Sequence, residues 1–476
     1  MEDFRLKVFE TVARLGSFSL AARSLGISQP AVSQNIAELE SYAGVPLLLR
    51  SRSGVSLTGR GKEFLDKGRA VLGAYEELDK LFSNPDTMLL KGVMLENGKR
   101  ANVLISKGFF ADLDCPGDTP AQRVIDCSSL ALLPSLFNTH THAAMCLLRG
   151  YADDLPLKTW LEDHIWPYED KLTPADIREG SRMALREMLC SGTSFFNDMY
   201  FDVEQTIREV QDAGLRAAIG ITVMENHTKA QEEQKKEFVR SFKDPTGRIQ
   251  LVMAPHAIYT VGKEKLRRTA DFARRNSLCL HIHLSETLQE VQDCYKAHGM
   301  SPVQYLDSIG FLGEDVIAAH CVHVDKKDWK TLASRKVTVS HCPCSNMKLG
   351  SGRFPYELAL DSGCRITLGT DGASSNNNLD LREEMKFAAL LAKVEGEPTL
   401  LPAREVLKWA SRNGASAFGI DAGEIQKGKK ADAVLLDLDN PRMTPCHNLV
   451  SNYVYSADSS CVKAVLCEGR IIYSRL

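Results

Sequence analysis

Leu132-Leu133-Pro134-Ser135-Leu136-Phe137-Asn138-Thr139-His140-Thr141-His142 is an apolar, strand-like run closed by a His-x-His pair. Side chains alternate along a strand, so His140 and His142 point to one spot at its end. Neutral imidazole nitrogens are good ligands for zinc or iron, which makes this strand end a candidate metal site. A His-x-His pair alone is a weak signal. It gains force because His283, His320 and Asp371 each stand at the end of another strand-like run. Strand candidates end near Thr139, Asp198, Val223, His256, His283, His320, His341 and Asp371. Helical stretches such as Thr173 to Cys190, Glu204 to Ala213 and Lys263 to Asn276 separate most of them. Eight strand–helix units predict a (β/α)8 TIM-like barrel, with reactive side chains at the C-terminal ends of its strands.

The candidate ligands then come from three strands: His140 and His142 from the first, His283 from the fifth, Asp371 from the eighth. With a water they leave an open position, as a catalytic metal needs. The fourth strand ends at His256 rather than at a bridging lysine, so one divalent ion is expected, zinc with iron as the alternative. Glu286, three residues after His283, is close enough to shuttle a proton. Asp371 can both hold the metal and accept a proton from a water whose pKa the metal lowers. His320 is placed to orient that water or to stabilise the developing anion. His227, His298 and His447 read as structural.

Short alternating runs flank the barrel: Met88 to Val93 and Ala101 to Ile105 before it, Ala433 to Leu436, Val462 to Leu466 and Ile471 to Tyr473 after it. Together they predict a small β-sandwich built from both flanks. The chain has 476 residues, 44% apolar and 25% charged, the balance of a globular protein that fills more than one domain. A net charge of -3 gives no global attraction to nucleic acid, so any DNA contact must be local. Thirteen cysteines, none before Cys115, do not read as a disulfide framework. The start, Met1-Glu2-Asp3-Phe4-Arg5, has no signal-peptide pattern, and no apolar run is long enough for a bilayer. These readings place the protein in the cytoplasm, away from membranes.

The first 85 or so residues read differently. Phe4, Val8, Phe9 and Val12 form a helical stripe ended by Gly16, and Ser17 to Leu25 makes a short second helix. Ser28 caps a third helix with Pro30 in its first turn. That third helix buries Val32, Ile36 and Leu39 and presents Gln29, Ser33, Gln34 and Asn35, side chains that reach base edges and phosphates in a major groove. Val45 to Thr58 reads as a wing carrying Arg50 and Arg52 for phosphate contact. The segment resembles the winged helix-turn-helix of LysR-type transcriptional regulators through Gly16-Ser17-Phe18, Ala21-Ala22, Ser28-Gln29-Pro30-Ala31-Val32-Ser33, Leu39-Glu40, Gly44, Arg50 and Leu57-Thr58. That resemblance implies double-stranded DNA as a partner, contacted by Ser28, Gln29, Pro30, Ser33, Gln34, Asn35, Arg50 and Arg52. In a helix expected over about 59–83, Phe64, Val71, Tyr75, Leu78 and Phe82 recur at helical spacing. LysR relatives dimerise through such a helix, which implies a homodimer; a stripe like this could equally pack against the same chain.

From about residue 87 onward the chain resembles the amidohydrolase superfamily, in its branch of chlorohydrolases and aromatic-base deaminases. The motifs are Phe137-Asn138-Thr139-His140-Thr141-His142, Leu147-Leu148-Arg149-Gly150, His283-Leu284-Ser285-Glu286, Ala319-His320-Cys321-Val322-His323, Ser340-His341-Cys342-Pro343, Ser345-Asn346-Met347-Lys348-Leu349-Gly350 and Gly369-Thr370-Asp371-Gly372. The nearest group is the 5′-methylthioadenosine/S-adenosylhomocysteine deaminases. The resemblance implies that Trp160 and Glu169 shape a nucleoside pocket, Glu169 binding ribose hydroxyls, and that His256 faces substrate. The stretch 219–235 lacks the arginines that relatives use for a carboxylate tail, which favours methylthioadenosine or adenosine over S-adenosylhomocysteine. The expected organisation is a DNA-binding domain over 1–58, a linker or dimerisation helix over 59–86, a β-sandwich from 87–133 and 421–476, and a catalytic barrel over 134–420. The expected activity is metal-dependent hydrolytic deamination of an adenine nucleoside. The alternatives are a transcription factor that uses the barrel as a ligand sensor, and an aminohydrolase or chlorohydrolase of another heterocycle.

Overall fold

Helix α1 (Phe4–Leu15) and its two successors begin and end where the capping chemistry dictates. Ser17 accepts the Leu20 N–H to start α2 (Phe18–Leu25), and Gly26, at φ +66°, takes the left-handed turn that ends it. Ser28 accepts the Ala31 N–H to start α3 (Gln29–Ala43), with Pro30 in the first turn and Gly44 at φ +69° beyond its end. Strands β1 (Leu48–Ser51) and β2 (Gly54–Leu57) pair antiparallel as the wing. The Glu40 carboxylate accepts the N–H groups of Leu47 and Leu48, at 2.7 and 3.0 Å, and so anchors the wing to α3. The computed structural model describes residues 4–51, 54–83, 87–394 and 396–476, and of residues 50, 51 and 75–83 only the backbone.

Val8, Phe9, Val12, Ala21, Val32, Ile36 and Leu39 form the core of this unit. Helix α4 (Gly59–Ser83) leaves it from the wing. Gly61 is required there, because a Cβ would stand 2.0 Å from the Leu47 carbonyl oxygen. The expected seam along α4 divides. Phe64 packs edge-on against Phe9 of its own chain at 5.4 Å, whereas Val71 is exposed; the side chains of Tyr75, Leu78 and Phe82 lie outside the described residues.

The chain divides into two compact units, Met1–Pro85 and Asp86–Leu476. The second opens with β3 (Thr87–Met94), β4 (Arg100–Ser106), β5 (Phe109–Asp112), β6 (Arg123–Asp126) and β7 (Leu130–Pro134). Then follow β8 (Leu136–His142), β9 (Thr193–Tyr200), β10 (Arg216–Val223), β11 (Ile249–Pro255), β12 (Cys279–Leu284), β13 (Val316–His320), β14 (Thr338–His341), β15 (Arg365–Leu368) and β16 (Asp371–Gly372). These run parallel in sequence order from β8 to β15, and β16, the continuation of β15, pairs back onto β8. The result is the expected eight-unit barrel, its last strand split at Gly369-Thr370. Phe137, Phe195, Ala218, Val252 and Ile317 fill the barrel interior below the strand ends, and Phe418 closes it underneath.

Strands β17 (Ala433–Asp437), β18 (Val462–Cys467) and β19 (Arg470–Ser474) return to β7 and complete an eight-stranded sheet from both flanks. That sheet curls until Phe109 bridges Lys430, enclosing Leu90, Val103, Phe110, Leu132, Leu435 and Leu466. Sheet and barrel are tied by Arg216 at the base of β10. Its guanidinium donates to Asp432 at 3.0 and 3.2 Å and pairs with Glu468 at 2.9 Å, with the Arg216 and Asp432 side chains 4% and 0% exposed. All thirteen cysteines are free thiols, and among the described residues no helix is long and apolar enough to cross a membrane.

Candidate active site

The strand that carries His140 and His142 is not regular. Phe137 points into the barrel core and Thr139 bonds Ser340 and Thr367 across the interior, yet His140, one residue on, also points inward. Strict alternation forbids this; the register between β8 and β9 shifts between Asn138 and Thr141, and the irregularity brings the histidines inward. Gly369 lets the eighth strand pass closely, since a Cβ there would lie 2.6 Å from the His140 Cβ. His320, Asp371 and Ser285, the last between His283 and Glu286, all have left-handed backbone, at φ +68°, +61° and +50°. For residues with a Cβ this is strained backbone, of the kind that aims side chains at functional sites.

His140, His142, His283 and Asp371 bring their ligand atoms within 4.8 Å of one another. Their hydrogen bonds decide the tautomers. His142 Nδ1 donates to the Met199 carbonyl at 2.6 Å and His283 Nδ1 to the His256 carbonyl at 2.8 Å. The two Nε2 atoms are thus left for the centre of the cluster, where they lie 3.3 Å apart. His140 Nε2 is buried without a hydrogen-bond partner, and Asp371 Oδ1 lies 3.3 Å from it and 3.1 Å from His142 Nε2. Converging lone pairs and one carboxylate oxygen are repulsive unless a cation joins them, so the cluster fits a divalent metal such as zinc. Burial holds His140 down at about 4 and His283 well below the usual range, as neutral ligands. Burial also acts to lower His142, but the Asp371 carboxylate outweighs it and holds that ring at about 9. A proton and a metal ion compete for this place.

The remaining groups stand around the cluster. Glu286 is fully buried, and burial raises its pKa above the ordinary carboxylate value. Its Oε1 accepts from Ser351 Oγ at 3.0 Å, and its Oε2 lies 3.8 Å from His320 Nε2. His320 Nδ1 donates to Asn346 Oδ1 at 2.8 Å, which leaves Nε2 turned toward Glu286. His256 is neutral, pushed down to about 3 by burial and by His142. These groups, with Trp160, Glu169, Tyr200, Tyr259, Thr222 and Met224, line a cavity of about 700 Å³. Trp160 begins a π-helical turn, Trp160–Ile165, that walls one side, and such turns recur at functional sites. Glu169 Oε1 is buried without a partner, and burial lifts its carboxyl to about 7.

The nine barrel residues named from the sequence thus meet in one cavity or its metal cluster. Sequence reasoning missed the residues that hold them. His281 Nε2 meets His140 Nδ1 at 2.9 Å, Ser345 and Ser375 donate to Asp371 Oδ2 at 2.6 and 2.9 Å, and Glu290 accepts the N–H groups of Ser285 and Glu286 at 2.9 and 2.8 Å. His281 carried a signal as the first member of a second His-x-His, and Ser345 as part of the motif Ser345-Asn346-Met347-Lys348-Leu349-Gly350. In the N-terminal unit Ser28, Gln29, Pro30 and Gln34 are exposed on α3, and Ser33 is half-buried. Asn35 spends an amide N–H on the Ala31 carbonyl of its own helix at 2.8 Å. Arg52 and the Arg50 side chain lie outside the described residues.

Residues 131–472 match the amidohydrolase family. The chain belongs to that family. In this amidohydrolase, residues 4–62 also match the bacterial regulatory helix-turn-helix proteins of the lysR family. It is 46% identical over 403 residues to the 5′-deoxyadenosine deaminase of Methanothermobacter thermautotrophicus, covering 82% of this chain and 92% of that one. It is 44% identical over 400 residues to 5-methylthioadenosine/S-adenosylhomocysteine deaminase 1 of Archaeoglobus fulgidus, with the same coverage. The crystal structure of an adenosine deaminase from Xanthomonas campestris, with bound zinc, superimposes with a TM-score of 0.75 at 33% identity over 81% of this chain and 92% of that one.

Proposed function

We propose that the barrel unit is a metal-dependent hydrolytic deaminase of adenine nucleosides, joined to a unit that binds double-stranded DNA. One observation carries the enzymatic reading: three imidazole Nε2 atoms and Asp371 converge beside Glu286 and His320 at the floor of the cavity walled by Trp160 and Glu169. A divalent ion held by His140, His142, His283 and Asp371 supplies Lewis acidity to a water and to developing negative charge. The protein's own groups manage the protons. Glu286, whose carboxyl burial shifts toward the protonated form, gives its proton to N1 of the purine as the water oxygen adds to C6. Asp371 takes a proton from that water, its second oxygen steadied by Ser345 and Ser375. The proton leaves with the 6-amino group as ammonia, and Glu286 recovers one from the C6 hydroxyl, leaving a 6-oxopurine. His320 Nε2, an acceptor while Nδ1 donates to Asn346, lies 3.8 Å from Glu286 and is placed to orient the attacking water. Replacing Glu290 with glutamine frees the Ser285–Glu286 turn and is expected to lower kcat about tenfold with KM little changed, read by steady-state kinetics.

Trp160 offers a face to the base, and the partnerless Glu169 oxygen suits ribose hydroxyls. No lysine or arginine is among the residues lining the cavity, so a neutral 5′ substituent fits better than a charged one. This supports 5′-deoxyadenosine, 5′-methylthioadenosine or adenosine over S-adenosylhomocysteine. Ammonia release from these four, guanine and a chlorotriazine tests the reading. Turnover of the neutral adenine nucleosides is expected, and no turnover of any of them would overturn it. Glu169→Gln is expected to cost roughly 10-fold in kcat/KM, mostly through KM, because one of two acceptor oxygens becomes an amide donor.

The exposed N-terminal half of α3 supports contact with a major groove, and the exposed Val71 supports a homodimer along α4. The match of residues 4–62 to a bacterial DNA-binding family supports a cytoplasmic protein. Gln29→Ala is expected to weaken binding to a selected operator by roughly 5- to 150-fold, with random-sequence binding little changed; equal loss on both would remove its role in base reading.

A further inference from the structure

We infer that the outer face of the barrel wall carries a site for a phosphate-type oxyanion, between the helices Lys229–Ser241 and Lys263–Arg275. Alternation along β10 separates it from the substrate cavity: Thr222 lines that cavity, whereas Val223 lines a second one of about 410 Å³. The two cavities share no lining residue. His227, Lys235, Lys236, Lys265, Arg268 and Thr269 surround the second, and Glu232 is its single carboxylate. Glu232 is already engaged by Lys265 at 2.8 Å, so the balance of charge at the cavity is strongly positive.

The hydrogen bonds make this a cradle of donors. His227 Nδ1 accepts from the Met224 N–H at 3.2 Å and from Lys235 Nζ at 3.2 Å, which places the ring proton on Nε2. The Lys235 ammonium donates to the Thr222 carbonyl at 2.7 Å and retains a further N–H. Burial, and then Lys265, pull Lys235 down to about 8, the mark of a cation short of counter-charge. Lys265 spends its N–H groups on the carbonyls of Met224, Glu225 and His227 and on Glu232, so it holds the loop between β10 and the helix Lys229–Ser241 and adds positive charge to the cavity, while the free donors are those of His227 and Lys235. An oxyanion would complete the set, and it would do so beside the backbone that positions Thr222 and Met224 in the substrate cavity.

The test is calorimetric titration of the metal-loaded protein at constant ionic strength with inorganic phosphate and, separately, glycerol 3-phosphate. Wild type is expected to bind one equivalent saturably, the free ion alone if the cavity admits no ester and both if it does. Arg268→Met, on an exposed side chain outside the catalytic machinery, is expected to weaken that binding about tenfold with deamination unchanged. Lys235→Met is expected to weaken it at least as much. Absence of saturable binding up to about 20 mM, or affinity unchanged in Arg268→Met, would overturn the site.

Discussion

Glu286→Gln is expected to reduce kcat for 5′-deoxyadenosine by about 10³-fold while the protein keeps its metal and its nucleoside affinity. The amide has the shape of the carboxyl and can still accept from Ser351 Oγ through its oxygen, so the cavity floor need not rearrange. What it lacks is an acidic proton to give and take back, and nothing else stands in for that. His320 Nε2 faces the same point, but its Nδ1 proton is committed to Asn346. The check is kcat beside metal content and nucleoside binding on one preparation. A variant within tenfold of wild-type kcat would remove Glu286 from the proton path, whereas lost metal would mean that the turn after His283 had moved.

The second large effect is structural. Asp432→Ala is expected to destabilise the second unit by about 3–5 kcal/mol, because it leaves the Arg216 guanidinium buried with only Glu468 for charge compensation. Asp432 also accepts the Glu468 N–H at 2.6 Å, so a β-strand connection loosens with the ion pair. A drop in the denaturant midpoint measures it. Replacing Arg216 by methionine in the same chain should recover much of the loss, since the penalty lies in the orphaned charge. A single variant within 1 kcal/mol of wild type would show that water reaches Arg216.

Much of this was legible from the chain. The barrel could be read because each strand is a short apolar run and the chemistry stands at its end: His140 and His142, His283, His320, Asp371. The start of the third helix could be read because Ser28 and Pro30 act locally. The inward turn of His140 could not, since it depends on a register shift between β8 and β9, and register belongs to a pair of strands. Nor could the partners of Glu290, Asn346 and Ser345, which are set by loop geometry. The helical stripe on α4 suggested one continuous seam, yet Phe64 is taken by Phe9; periodicity reveals a buried face without naming its partner.

The sheet assembled from both flanks has a consequence for synthesis. Strand β7 finds its neighbour β17 some three hundred residues later, so the curled sheet and the Arg216–Asp432 clasp cannot form until the chain is almost finished. The N-terminal unit keeps its core contacts within its own span. At roughly 5–20 residues per second, it can fold on the ribosome for tens of seconds before the barrel's last strands emerge. Truncated products would then carry the helix-turn-helix unit without the barrel.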